Sequence, residues 1–282
     1  MPKNPFTYGN PITAPAHFIG RKREVDQVYS RLMNAEFESS SVVGERRIGK
    51  TSLLKYISHP LVIEKAGFTP EKYIFVYVDL QILDPTKTPT DFWRRVLRAI
   101  RWQVSHAELR SWIDETRGEP SIDAFILDDV FGLVDDLNLH IVLLLDEFER
   151  VTQNEAFDID FFSGLRSIAI HHNLALITSS HRELVELTHS RAVQDSPFFN
   201  IFANINLRPF SGQESESLIA TYLAESDLEF HSHDIDYILW IAGPHPYFLQ
   251  MACSLMYDAC QDIPGETETQ ARQHYLVKDF RE

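Results

Sequence analysis

Gly44-Glu45-Arg46-Arg47-Ile48-Gly49-Lys50-Thr51 has the residue types and spacing of a phosphate-binding loop, G-x-x-x-x-G-K-[ST]. Two glycines let a backbone wrap an anion with its N–H groups turned inward. A helix that starts at the end of such a loop adds the partial positive charge of its N-terminus. Lys50 has the reach to contact β- and γ-phosphates, Thr51 offers a hydroxyl to Mg²⁺, and the residues around them, Gly44, Arg46, Arg47, Ile48, Gly49 and Ser52, form the cradle.

A second set of groups lies 96 residues further on, where Ile141-Val142-Leu143-Leu144-Leu145 runs into Asp146-Glu147. An aliphatic strand ending in two carboxylates is suited to hold Mg²⁺ through water at Asp146 and to orient and polarise an attacking water with Glu147. Standing alone, the same pair would be an acidic strand end meeting solvent; the glycine loop favours the chemical reading. Thr178, Ser179 and Ser180 end another aliphatic run and present hydroxyls where a γ-phosphate would be contacted, with Ser180 and Arg182 as the candidates for that contact. Their plain alternative is a hydroxyl-capped loop. Arg166 and Arg191 are further candidates for a charge-sensing arginine, and Gly243-Pro244-His245-Pro246 is either a simple turn or the opening of a helix with Pro246 near its first position.

The surrounding pattern must place these groups. Strands are expected at Ser39–Val43, Tyr73–Leu80, Ile141–Glu147 and Leu174–Ser180, with a fifth inside Phe199–Leu207. Most are apolar nearly throughout, as strands buried on both faces are. Helices are expected from about Lys22 to Met33, after the glycine loop, from Asp91 to Ser105, from Ser121 to Asn138, and around Phe161–Ile168. That alternation predicts an α/β fold with a five-stranded parallel sheet flanked by helices. After Pro209-Phe210 only helices are expected, to about Ala224 from a Ser211/Glu214 capping box, then near His233–Ile241, Pro246–Asp262 and Thr267–Phe280. The domain reading is a core over residues 1–210, opened by an extended arm over 1–17, and a helical lid over 211–282. Arg94, Arg95, Arg98 and Arg101 form a row that either meets an anionic partner or is a solvated face.

The 282 residues suffice for one large domain or two smaller ones, and 44% hydrophobic content suits a globular chain. With 26 basic and 41 acidic residues the net charge is −15, which repels nucleic-acid phosphates and argues against a DNA-coating surface. Cys253 and Cys260 stand two helical turns apart, too far for a disulfide. No apolar run reaches membrane-spanning length and the N-terminus lacks an apolar signal core, so a cytoplasmic setting is expected.

The chain resembles the STAND group of P-loop ATPases within the wider AAA+-like (ASCE) class, in particular the prokaryotic "AAA-like" or archaeal-type ATPase family. The resemblance is carried by Asn4-Pro5-Phe6-Thr7-Tyr8-Gly9, Phe18-Ile19-Gly20-Arg21, Gly44 to Ser52, Leu145-Asp146-Glu147-Phe148, Leu165-Arg166-Ser167, Ser196-Pro197-Phe198-Phe199-Asn200 and Gly243-Pro244-His245-Pro246-Tyr247. It implies sheet order 5-1-4-3-2, an adenine pocket lined by Phe18, Ile19, Gly20 and Arg21 and closed by His245 and Pro246, and ATP/ADP with Mg²⁺ as cofactors. It also implies a protein partner or fused effector and a nucleotide-dependent oligomer. Relatives commonly place arginine directly after the sensor hydroxyls, whereas Ser180-His181 precede Arg182 here, and relatives continue into a winged helix, whereas this chain stops at Glu282, as a fragment or a core that needs partners. The expected function is an ATP-hydrolysing regulatory switch. The alternatives are an origin-recognition-like or DNA-remodelling ATPase and a nucleotide-dependent scaffold without turnover.

Overall fold

The protein is described by a computed structural model that covers residues 4–262 together with 272 and 273. In chain order the elements are α1 (Lys22–Leu32), β1 (Ser40–Val43), α2 (Lys50–Ile57), α3 (Pro60–Lys65), β2 (Tyr73–Asp79), α4 (Pro89–Gln103), α5 (Ala107–Gly118) and α6 (Ala124–Asp136). They continue with β3 (His140–Asp146), α7 (Glu149–Thr152), α8 (Ile159–His171), β4 (Leu174–Ser180), α9 (Arg191–Gln194), β5 (Ala203–Asn206), α10 (Gly212–Leu223), α11 (Ser232–Ala242) and α12 (Pro246–Asp262). The expected helix over Thr267–Phe280 lies outside the described residues except for 272 and 273.

The five strands form one sheet in the order β2-β3-β4-β1-β5, every pair parallel, which is the 5-1-4-3-2 order the resemblance implies. Every residue of β1 and β4 is buried, and β3 is buried from its second residue onward. That is why β3 and the first half of β4 run apolar without alternation, while β1 and the end of β4 bury small hydroxyl residues. Four helices occupy stretches where none is expected, α3, α5 and the four-residue α7 and α9. The Arg94–Arg101 row is mostly tied down: Arg94 donates to the Glu119 carbonyl (2.7 Å), Arg95 to the Asp79 carbonyl (2.9 Å) and Arg101 to Asp114 (2.8 Å).

The chain divides into two compact units interleaved in sequence: residues 1–21, 46–52 and 208–282 form one, and residues 22–45 and 53–207 the other. The sheet unit is built on Val76, Val78, Phe92, Phe131, Leu143, Leu145, Phe162, Leu176 and their neighbours. The helical unit has its own core of Phe6, Leu218, Tyr222, Ile238, Leu249, Cys253, Met256 and Tyr257. Ser211 caps α10 through the expected reciprocal box with Glu214. Cys253 and Cys260 are free and buried in α12. Among the described residues no helix is long and apolar enough to cross a membrane.

In the sheet unit His172, just after α8, lies between two carboxylates, Nε2 2.9 Å from Asp128 and Nδ1 2.7 Å from Asp135. Burial pulls its pKa down, but hydrogen bonds and charge from Asp128 and Asp135 outweigh burial and hold it above the usual 6.5. Because the folded value exceeds the unfolded one, this cluster's contribution to stability is complete below about pH 6.5 and is lost as pH rises through the folded pKa. The melting temperature of wild type should therefore fall more between about pH 6 and pH 8.5 than that of His172→Gln. Parallel pH–melting curves for the two proteins would remove this role for His172.

Candidate functional site

The glycine loop changes handedness twice before α2 begins. Arg47 sits at φ +63° and Gly49 at φ +104°, and nothing lies within 4 Å of where a Gly49 side chain would project. Such an alternation turns successive N–H groups toward one concavity. The helix that follows starts at Lys50, so the first-turn N–H groups of Thr51 and Ser52 have no intrahelical acceptor. Ile48 and Lys50 are buried, while Arg46 and Arg47 are exposed. The Arg47 guanidinium lies over the Tyr247 ring, 4.2 Å from its centroid, and Ser52 Oγ accepts from the Ile12 N–H at 3.0 Å.

Phe18-Ile19-Gly20-Arg21 belongs to the same helical unit. Gly20 (φ +71°) and Arg21 (φ +63°) are both left-handed, and a side chain on Gly20 would come within 2.6 Å of Glu214 Oε1. Only glycine satisfies both demands. Arg21 is buried: its guanidinium donates to the carbonyls of Arg208 (2.5 Å) and Ile48 (3.2 Å) and covers the Phe210 ring, and its N–H donates to Glu214 (3.1 Å). Burial pushes the Glu214 carboxyl up, and the N–H donors of Ser211 and Arg21 overcome it, leaving the pKa below the usual range. Arg21 thus fastens the glycine loop to the start of the helical region. His245 and Pro246 open α12; the Leu249 N–H donates to the His245 carbonyl (2.9 Å), and the Phe210 N–H to the Pro244 carbonyl (2.8 Å).

Asp146 ends β3 in the sheet unit with 3% exposure. Its Oδ2 accepts from the Tyr77 hydroxyl of β2 at 2.8 Å, and its Oδ1 from the Ser179 hydroxyl of β4. Burial, then the Asp146 charge, hold the Tyr77 pKa far above its usual value, so Tyr77 stays a donor. Ser179 Oγ also accepts the Glu147 N–H (3.0 Å), and the Ser179 carbonyl accepts the Phe148 N–H (2.9 Å). Glu147 itself is left-handed, φ +59°. The hydroxyl that touches the acidic pair is therefore Ser179's. Ser180 Oγ donates instead to the Arg182 carbonyl (2.5 Å), while the Ser180 carbonyl accepts the Gly44 N–H (3.2 Å). The Arg182 side chain is exposed.

Two further links went unseen in the sequence. Tyr77 reads as one more buried strand residue, and only the β2–β3 register brings it to Asp146. Buried Glu149 accepts from both the N–H (3.3 Å) and Nδ1 (2.8 Å) of His181, so the turn after β3 is fastened to the end of β4 at a second point.

In the helical unit, the left-handed loop and the N–H groups of the first turn of α2 suit polyphosphate. Both Asp146 oxygens already accept protein donors, which suits a cation held through water rather than directly. Among the described residues no cluster of three or more His, Cys, Asp or Glu could hold a metal ion.

The fold is shared with solved structures. The Aeropyrum pernix ORC2 protein, solved in ADPNP–ADP complexes, superimposes with a TM-score of 0.68 at 14% identity, covering 99% of this chain and 71% of that one. The Walker-type ATPase PABY2304 of Pyrococcus abyssi gives 0.64 at 15% identity over 96% and 75%. The Aeropyrum pernix ORC1 protein in complex with DNA gives 0.59 at 12% identity over 93% and 66%. No curated protein sequence matches the chain. The family model described as Novel STAND NTPase 2 matches residues 128–281, more than half of the chain and including Asp146, Glu147 and Ser179, and the chain belongs to that family of P-loop NTPases.

Proposed function

We propose that this STAND NTPase binds ATP and ADP with Mg²⁺, hydrolyses ATP, and uses nucleotide state to set the position of a helical lid from about Ser211 and hence the binding of a protein partner or effector. The observation that carries the reading is the left-handed glycine loop of Arg47 and Gly49 running into the first turn of α2, whose leading N–H groups have no intrahelical acceptor. In this reading Lys50 binds β- and γ-phosphate oxygens, and the N–H groups of Gly49, Lys50 and Thr51 bind the rest. When bound, Mg²⁺ neutralises charge on those oxygens; Thr51 and, through water, Asp146 are the residues that would hold it. Ser179 and Tyr77 fix the Asp146 carboxylate, and the Ser179 contact sets the turn from which Glu147 accepts a proton from the attacking water. Ser180 and Arg182 border this group, Phe18, Ile19, Gly20 and Arg21 line the base side, and His245 and Pro246 close the lid. Nucleotide-dependent oligomers and a cytoplasmic setting, in keeping with two free cysteines, belong to the same proposal.

A second reading, a DNA-remodelling ATPase, has the ORC1–DNA neighbour in its favour and the −15 charge against it. DNA affinity that falls steeply with salt would support it.

Lys50→Ala should abolish the rise in melting temperature that ATP produces in wild type. Equal stabilisation of both proteins by ATP would remove the loop assignment. Glu147→Gln should bind ATP normally with turnover lowered by roughly a hundredfold or more, whereas Asp146→Asn should chiefly raise the Mg²⁺ concentration needed. Equal Mg²⁺ dependence in the two variants would reject the division of roles. Ser179→Ala leaves the buried Asp146 carboxylate short of one donor. It should cost about 1.5–3 kcal/mol in denaturant unfolding and lower turnover as well; wild-type stability in this variant would mean the hydroxyl is dispensable.

A further inference from the structure

The helical unit contains a segment to which the ATPase reading gives no task, the arm over residues 4–12. Its first end is bound to α12. Asn4 Nδ2 donates to the Ser254 carbonyl (3.0 Å), to Ser254 Oγ (3.1 Å) and to Asp258 Oδ1 (2.9 Å), and its Oδ1 accepts the Phe6 N–H (3.1 Å). Phe6, 3% exposed, is stacked on Tyr222 and Phe230 at 5.5 and 5.8 Å and meets the edge of Tyr257 at 6.4 Å. Further along, Tyr8 meets Tyr247 in the first turn of α12 edge-to-face at 5.9 Å, and Tyr247 in turn carries the Arg47 guanidinium on its face. The other end is Ile12, whose N–H donates to Ser52 Oγ in the first turn of α2 (3.0 Å).

The arm is therefore fixed at three points along α12, near Asp258, Ser254 and Tyr247, and at one point on the phosphate loop. Residues 46–52 fall into the same compact unit as the arm and the helical region, although they adjoin β1 in sequence. The Ile12 N–H has a chemical consequence for Ser52. It fills a lone pair of the hydroxyl oxygen and so leaves the hydroxyl proton to be donated elsewhere.

We propose that residues 4–12 are a positioning strap: the Ile12 N–H orients Ser52 in the nucleotide loop, and Asn4, Phe6 and Tyr8 join that orientation to α12, so that strap and nucleotide stabilise each other. The proposal rests on the ATP-binding reading above. It explains why the Asn4-Pro5-Phe6 segment is built for burial and capping although it lies 40 residues before the loop in sequence.

The test compares Ile12→Pro, which lacks the N–H, with Ile12→Ala, which keeps it, and adds Asn4→Ala at the far end of the strap. Affinity for ATP in the presence of Mg²⁺ is measured by calorimetry, and hydrogen exchange of Tyr247–Met256 is followed with and without ATP. Ile12→Ala should bind within about twofold of wild type, and Ile12→Pro about fivefold to tenfold more weakly, the change expected for one lost hydrogen bond. Asn4→Ala should weaken binding by at least about threefold, since it removes the donor at the anchored end. ATP should slow exchange across Tyr247–Met256 in wild type and Ile12→Ala but not in Ile12→Pro. Equal ATP affinity of Ile12→Pro and Ile12→Ala, or wild-type affinity in Asn4→Ala, overturns the strap while leaving the ATP site in place. If Ile12→Pro does not fold by circular dichroism, Asn4→Ala decides alone. Failure of wild type to bind ATP overturns the site reading itself, and the strap's role in it.

Discussion

One buried carboxylate constrains the sheet unit more than any other group. Asp146 is 3% exposed at the end of a strand, and moving an ion of that size out of water costs several kcal/mol unless donors replace the lost hydration. The donors come from both neighbouring strands, Tyr77 from β2 and Ser179 from β4. They can meet Asp146 only if β3 lies between β2 and β4, which is the observed order. Tyr77 lies opposite Leu144, two residues before Asp146 and on the same face of the strand, so its ring spans the diagonal. A slip of one residue would turn Tyr77 to the opposite face and leave the charge half unsatisfied. Satisfying Asp146 and fixing the sheet register are thus the same event.

Ser179 extends this constraint into the turn that follows. Its hydroxyl donates to Asp146 while accepting the Glu147 N–H, and its carbonyl takes the Phe148 N–H. Glu147 can present its N–H there only by adopting φ +59°, an unfavourable region for a side-chain-bearing residue. Five described residues other than glycine are left-handed, and three of them, Arg21, Arg47 and Glu147, belong to the candidate site. Each costs of order 1 kcal/mol or more and persists only where its surroundings fix it. Arg21 is held by two carbonyls and Glu214, and Glu147 by Ser179, so the strain sits where hydrogen bonds oppose its release.

The strands β2, β3 and the first half of β4 were legible because buried strands are largely aliphatic, their order only through the resemblance, and the loop because its chemistry allows few residue types. The helix α5 was not legible: it buries only Leu109, Ile113 and Thr116, a stripe too narrow and too polar to stand out. Choosing among Thr178, Ser179 and Ser180 also exceeded what sequence offers. Thr178 and Ser180 share one face of the strand and Ser179 takes the other, and with Thr178 opposite Leu145 it is Ser179 that reaches Asp146. The grouping of 1–21 and 46–52 with 208–282 depends on contacts such as Arg21–Arg208 and Ile12–Ser52, between residues 187 and 40 positions apart. No local pattern encodes a pairing of that range.

Those long-range contacts also limit how the helical unit can respond to a ligand. A nucleotide shifts the unit only by the difference in its contacts between two arrangements. Arg21 takes its acceptors from main-chain carbonyls inside the unit, Arg208 and Ile48. The Ile12–Ser52 bond is different in kind, since a single neutral hydrogen bond is worth about 1 kcal/mol and breaks within the range that ligand binding can supply. The same holds for Arg47 on Tyr247, an exposed cation over an aromatic face worth roughly 0.5–1 kcal/mol. In the proposed strap, coupling between loop and α12 would pass through these weak contacts. By linkage it would run equally in both directions: if the arm on α12 favours nucleotide binding, bound nucleotide favours the arm on α12 by the same factor.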